Sequence, residues 1–308
     1  MHEALQLTGE LKGLRDPLVI AAFWGWSDGS GSAMSTSRYI RNEWHGTEVA
    51  TVDPDRFYDL TVARPRVRLR NGERLVRWPG TRFHIATPTG SSRDVVLIAG
   101  REPALAWKDY AALVADFMQA VGSKHFISLG SRPAMVPHTR PAPVLLGDAD
   151  AYFEDLIGRP SEASQYQGPT GIQTVLMVHL NSLGFSTGRL TALVPGYINT
   201  GPNPRAIISL VQHLDRALGA HTSIEPLLGE VASFDAQTST ALGQVADPDA
   251  LREQIREMEE TYDASQPDGN YSEPAAPAAE LPTSDEILEG VESFLRQQRD
   301  DTDETPGA

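Results

Sequence analysis

Cysteine is missing from all 308 residues. Its absence excludes a disulfide framework, a thiolate metal site and a cysteine nucleophile. No apolar run approaches the ~18 residues that a membrane-spanning helix needs. Met1-His2-Glu3-Ala4 carries no basic stretch leading into an apolar core, so no secretory signal is expected. The phosphate-loop pattern GxxxxGK(S/T), the dinucleotide turn GxGxxG and the zinc helix HExxH do not occur. The expectation is a soluble cytoplasmic protein with no bound cofactor or metal.

What is present is a globular composition with uneven charge. An apolar fraction of 40% over 308 residues is enough for one large domain or two small ones. The net charge is −15, from 26 Lys+Arg against 41 Asp+Glu. Residues 1–224 hold 22 basic and 20 acidic residues, whereas residues 225–308 hold 4 and 21. That acidity reads either as a solvated helical surface with a disordered tail or as an arm that docks on a basic partner. In both cases it would repel phosphates, so nucleic acid is not an expected partner, and neither is a membrane.

The patterning alternates between strands and helices. Residues 18–23 form a continuous apolar run, as in a strand buried on both faces of a parallel sheet. A Gly/Ser-rich turn at 25–32 leads into a helix through Tyr39 and Trp44, and 48–52 reads as the next strand. Further strands are expected at 94–100, 125–130, 143–146 and 190–194. Helices are expected at 108–121, 148–157, from Pro169 onward and at 204–218. Between them, residues 64–87 alternate around Asn71-Gly72, a strong hairpin signal, and six arginines (Arg64, Arg66, Arg68, Arg70, Arg74, Arg77) make that stretch basic. The expectation is one α/β core over 1–222 with an inserted hairpin at about 64–87, and a helical extension over 223–263. A linker at 264–282, a docking helix at 283–300 and a disordered tail at 301–308 would follow.

Polar residues gather where strands end and helices begin, which is where α/β proteins keep their sites. The turn Gly25-Trp26-Ser27-Asp28-Gly29-Ser30-Gly31 could cradle an anion on its amides, or serve tight packing alone. Gly100-Arg101-Glu102-Pro103 sets two opposite charges at a strand end, either as an ion pair or as contacts for a ligand. His138 and Arg140 lie between Pro137 and Pro141; they offer a general base and an anion clamp, or they tie down a loop through carbonyls and a nearby carboxylate. Tyr166-Gln167-Gly168-Pro169-Thr170-Gly171 opens a helix with amides at Thr170 and Gly171 available to an anion. Asp148 and Asp150 sit where a helix start favours acidic residues, which argues against a metal pair. The candidate ligand or partner pocket is therefore Trp24, Asp28, Arg101, Glu102, His138, Arg140, Tyr166, Gln167, Gly168 and Thr170. No catalytic set is assigned.

Five elements in order carry a resemblance. They are Phe23-Trp24-Gly25-Trp26-Ser27-Asp28, Gly100-Arg101-Glu102-Pro103 with Trp107, and Pro137-His138-Thr139-Arg140-Pro141, then Tyr166–Gly171 and Pro202-Asn203-Pro204. Together they resemble the proteasome assembly chaperone 2 family in its actinobacterial branch, over nearly the whole chain. The resemblance implies a three-layer α/β/α fold with a mostly parallel sheet, like that of nucleoside phosphorylases and peptidyl hydrolases. It also implies self-association as a trimer or other small ring, with proteasome subunits or another protein client as partner. The expected function is a self-associating protein-binding module, more binder than enzyme. The alternative is a small-molecule binder or a hydrolase- or phosphorylase-like enzyme with a polar pocket at the carboxyl ends of the strands.

Overall fold

The computed structural model describes residues 1–158, 166–198, 201–244 and 247–265. All of them lie within one unit, Met1–Tyr271. The linker beyond residue 265, the docking helix and the tail expected from the sequence lie outside the described residues. The elements run β1 (Leu5–Leu7), β2 (Leu18–Trp24), α1 (Ser32–Glu43), β3 (Thr47–Val52), α2 (Pro54–Phe57), β4 (Arg66–Arg70) and β5 (Glu73–Arg77). They continue with β6 (Thr81–Ala86), β7 (Val95–Arg101), α3 (Trp107–Ala120), β8 (His125–Ala134), β9 (Val144–Gly147) and α4 (Ala151–Ile157). Last come α5 (Ile172–Ser182), β10 (Ser186–Pro195), α6 (Pro204–Leu218), α7 (Glu225–Leu242) and α8 (Pro248–Ala264).

Eight strands form the central sheet in the order β1-β3-β6-β7-β2-β8-β10-β9. The middle four, β7, β2, β8 and β10, pair in parallel. Because β6 runs against both β7 and β3, strand β3 points with the parallel set, and only β1, β6 and β9 run the other way. The sheet is therefore mostly parallel, with antiparallel strands toward its edges. Strand alternation makes the three layers. Val19, Ala21 and Phe23 of β2 pack on one face with Tyr110, Leu113 and Phe117 of α3 and Leu176 of α5. Leu18, Ile20 and Ala22 pack on the other with Ile40 of α1 and Leu210 and Leu214 of α6.

Three places differ from the expected pattern. Thr81–Ala86, grouped with the hairpin by its alternation, joins the main sheet between β3 and β7, and only β4 and β5 stand apart as a two-stranded sheet. Strand β8 runs on through Pro133 instead of ending near Gly130. Its pairing with β2 stops at Leu129, and from there Pro133 needs no amide donor on that side. Helix α5 starts at Ile172 rather than at Pro169, whose carbonyl instead accepts the Tyr166 hydroxyl at 3.0 Å. Among the described residues no helix is long and apolar enough to cross a membrane.

Candidate functional site

Strands β2 and β7 end side by side, with Trp24 opposite Arg101. One residue earlier the backbones crowd: a Cβ on Gly100 would stand 2.4 Å from the Gly80 carbonyl oxygen and 2.6 Å from Thr81 Cα. Only glycine lets β6 approach here. Beneath the strand ends lies a buried hydroxyl cluster. The hydroxyls of Tyr58 and Tyr110 lie 2.8 and 2.7 Å from Thr81 Oγ1, and the Tyr58 hydroxyl also donates to the Arg101 carbonyl at 2.9 Å. Burial pushes the Tyr58 phenol up to about 12, so it stays a donor. The Arg101 backbone is thus fixed from below. Its guanidinium lies over the Trp24 ring, 4.8 Å from the centroid, and forms no salt bridge among the described residues.

Glu102 does the opposite and turns inward. Its carboxylate accepts the Trp26 amide at 2.9 Å and the Ile172 amide at 2.6 Å. A Cβ on Gly25 would meet Glu102 Oε2 at 2.3 Å, and one on Gly171 would meet Oε1 at 2.9 Å. Both glycines therefore make room for one carboxylate, which joins the β2 loop, the β7 loop and the start of α5. The Ile172 amide, next to the Thr170 and Gly171 amides that the sequence offers to an exogenous anion, is bound by the chain itself. The Gly25–Gly31 turn is filled in the same way. Asp28 is almost fully buried, accepts the Ala33 and Met34 amides at 3.0 and 2.9 Å, and receives the Ser131 hydroxyl. Burial pushes its carboxyl above the usual range, and those hydrogen bonds pull the other way.

What remains open is a groove of ≈ 390 Å³ lined by Trp24, Asp28, Tyr58, Asp59, Val62, Arg101, Glu102 and Trp107. Its surroundings are unusually apolar for a surface. Trp24 is 53% exposed, Trp26 69% and Val62 69%. Tyr166, Gln167, Gly168 and Thr170 are exposed on the approach to α5 but do not line the groove.

His138 and Arg140 are elsewhere, and their job is visible. The Tyr197 hydroxyl lies 2.9 Å from both the His138 amide and its Nδ1, and the two rings meet edge to face. Burial lowers the His138 pKa, so the ring is neutral at pH 7. Arg140 donates through Nε and NH2 to the two carboxylate oxygens of Asp263, both at 2.9 Å, and lies 3.5 Å from Glu259. Thr139 bonds Glu259 as well. This loop clamps α8, whose Ile255, Met258 and Tyr262 are buried. Asp148 pairs with Arg189 at 3.3 Å, and Asp150 caps α4 by accepting the Phe153 amide at 3.3 Å.

Sequence reasoning missed Tyr58, Asp59 and Val62, which reach the groove from the segment around α2. No periodicity marks so short a helix. It also counts the GxSxG pattern as absent, whereas Gly25-Trp26-Ser27-Asp28-Gly29 has that spacing between a strand and a helix. Here the helix begins only at Ser32, and among the described residues no histidine hydrogen-bonds Ser27. The Ser27 carbonyl accepts the Ser131 amide at 3.0 Å, so the turn is a strap between β2 and β8.

Comparison with known proteins places this arrangement. The model of the PAC2 family matches residues 22–242. A PAC2 family protein from Streptomyces avermitilis superposes with a TM-score of 0.70 at 29% identity, covering 78% of this chain and 100% of that one. A Mycobacterium tuberculosis proteasome-assembly chaperone homologue superposes with a TM-score of 0.68 at 28% identity, covering 77% and 99%. An archaeal proteasome activator from Pyrococcus furiosus, at 15% identity and a TM-score of 0.58, covering 77% and 97%, shares the fold. Among curated proteins none matches.

Proposed function

The chain belongs to the PAC2 family, and from that premise we propose that it is a self-associating, chaperone-like protein that grips a segment of a partner protein in the Trp24–Arg101 groove. Proteasome subunits are the partner class, as the descriptions of the mycobacterial and archaeal relatives suggest. The compartment proposed for this role is the cytoplasm.

One observation carries the assignment: Arg101 lies on Trp24 with no salt bridge among the described residues, on a strand end, beside half-exposed aromatics. Tryptophan and arginine together supply large contact area and a charge-assisted anchor, the residue types that dominate protein interfaces. A partner segment with an acidic group and an adjacent apolar side chain suits the groove. The neighbouring carboxylates Asp28 and Glu102 are committed to backbone amides, which supports binding over acid–base chemistry.

The test is titration of purified proteasome subunits against the immobilised protein. Wild type is expected to bind, and R101A and W24A to bind at least ~10-fold more weakly, a loss of about 1.4 kcal/mol. R140A should keep wild-type affinity. Wild type that does not bind would overturn the partner assignment. Wild-type affinity in R101A and W24A together would overturn the groove.

A further inference from the structure

The hairpin β4–β5 stands apart from the main sheet. Every residue from Arg66 to Arg77 is exposed, including Val67, Leu69, Leu75 and Val76, with Leu69 at 72%. Pairing sets Val67 opposite Val76 and Leu69 opposite Arg74 on one face, and Arg66 opposite Arg77 and Arg68 opposite Leu75 on the other. One face is therefore largely apolar and its reverse strongly basic. A lone two-stranded hairpin is marginal in water, and like charges directly opposite each other weaken it further. None of its arginines forms a salt bridge among the described residues. Around Arg77 stand Arg66, Arg68, Arg82 and Arg38, so positive charge crowds positive charge. An open groove of ≈ 620 Å³ separates the hairpin from Gln6, Thr51 and Val52 of the main sheet. An arm with these properties is built for contact with something acidic that offers apolar surface.

The same chain carries such a surface. Over α7 and α8, residues 225–265, ten acidic residues face two arginines. Asp235, Glu259 and Asp263 are used internally by Arg205 and Arg140, and Asp249, Glu253 and Glu260 pair along α8 with Arg252 and Arg256. Glu225, Glu230 and Glu257 form no salt bridge among the described residues. Leu228, one turn along α7 from Glu225, is 54% exposed.

We propose that the β4–β5 hairpin of one copy docks on the acidic α7–α8 surface of a second copy, and that this unlike-to-unlike contact is how the protein self-associates. It rests on the self-association reading above and names its two surfaces. Hairpin-to-hairpin pairing is disfavoured because it would bring two arginine-rich arms together. A contact between two different patches gives a reciprocal pair or a ring where the rotation closes and an open filament where it does not, and its exposed charge pairs weaken as salt rises.

Two charge-reversed variants test this by light-scattering mass on the full chain, with circular dichroism confirming the fold. R68E/R70E/R74E makes the arm acidic, and E225R/E230R/E257R reverses the three helical carboxylates that form no salt bridge among the described residues. Each alone is expected to be monomeric at concentrations where wild type is oligomeric, because like now meets like. Mixed in equal amounts, they should assemble again, since the acidic arm then meets the three introduced arginines and the basic arm meets the native carboxylates. A monomeric wild type would overturn the self-association reading together with this proposal. An oligomeric wild type whose helix-surface variant also stays oligomeric, or a mixture that stays monomeric, would overturn the hairpin–helix contact alone. Val67→Ser with Val76→Ser provides a charge-independent arm, expected to weaken assembly at least ~10-fold, and unchanged assembly would overturn the role of the apolar face.

Discussion

Arg101 and Arg140 stand in similar sequence surroundings, each at the end of a strand or loop and each within two residues of a proline. Their neighbours make them different. Arg140 is gripped by both oxygens of Asp263, with Glu259 beside them, and so holds α8 against the body of the protein. Arg101 has its backbone fixed by Tyr58 while its guanidinium rests on Trp24 and forms no salt bridge among the described residues. A satisfied arginine is a fastener; a positioned and unsatisfied one is available to a partner. Only the structure separates the two, because the deciding carboxylates of α8 lie more than a hundred residues along the chain from Arg140.

The comparison can be broken by stability measurements. The strand end that carries Arg101 depends most on Gly100, where any Cβ would collide with backbone, so Gly100→Ala is expected to cost about 3 kcal/mol or more in urea unfolding. Glu102→Ala follows at ~2–3 kcal/mol, because it strands two amides that a carboxylate now satisfies. If this variant were as stable as wild type, the three loops would not depend on Glu102.

The Arg140 loop has a pH signature. His138, like His84, His125 and His213, is held below the usual histidine value by burial. The unfolded chain therefore takes up protons first as pH falls. The stabilisation is complete above ~6.5 and is lost as pH drops through the lower native value. Melting temperature should fall by roughly 2–4 °C between pH 7.5 and 5.5, and His138→Gln should flatten that slope. A slope unchanged by His138→Gln would mean that this ring is not desolvated. Arg140→Ala is expected to act locally, with amide exchange in α8 roughly fivefold faster and the sheet unaffected. The smallest effect belongs to Arg101→Ala, within about 0.5 kcal/mol of wild type.

Much of the scaffold was legible in the sequence, for particular reasons. The run 18–23 has no polar residue to interrupt a doubly buried strand, and β2 spans Leu18–Trp24. Asn203-Pro204 announces a capped helix start, and Asn203 accepts the Arg205 amide at 2.9 Å at the head of α6. Asn71-Gly72 marked the hairpin turn, and both residues have positive φ. Other features left no trace. A strand of three residues, β1, is too short for periodicity. The start of α5 is set by Glu102, a residue 70 positions away in sequence. The candidate residues were chosen as chemistry at strand ends, but the structure divides them. Trp24 and Arg101 face the groove, Asp28 and Glu102 bind the backbone together, and His138 and Arg140 fasten a helix. Which of these a polar residue does depends on who reaches it across the fold.

The most direct measurement is the affinity of purified proteasome subunits for R101A beside R140A. A loss of at least ~10-fold in R101A at unchanged stability, with R140A binding like wild type, is what an open anchor and a closed fastener predict. Equal binding by R101A and wild type, or equal loss in both variants, would contradict the distinction.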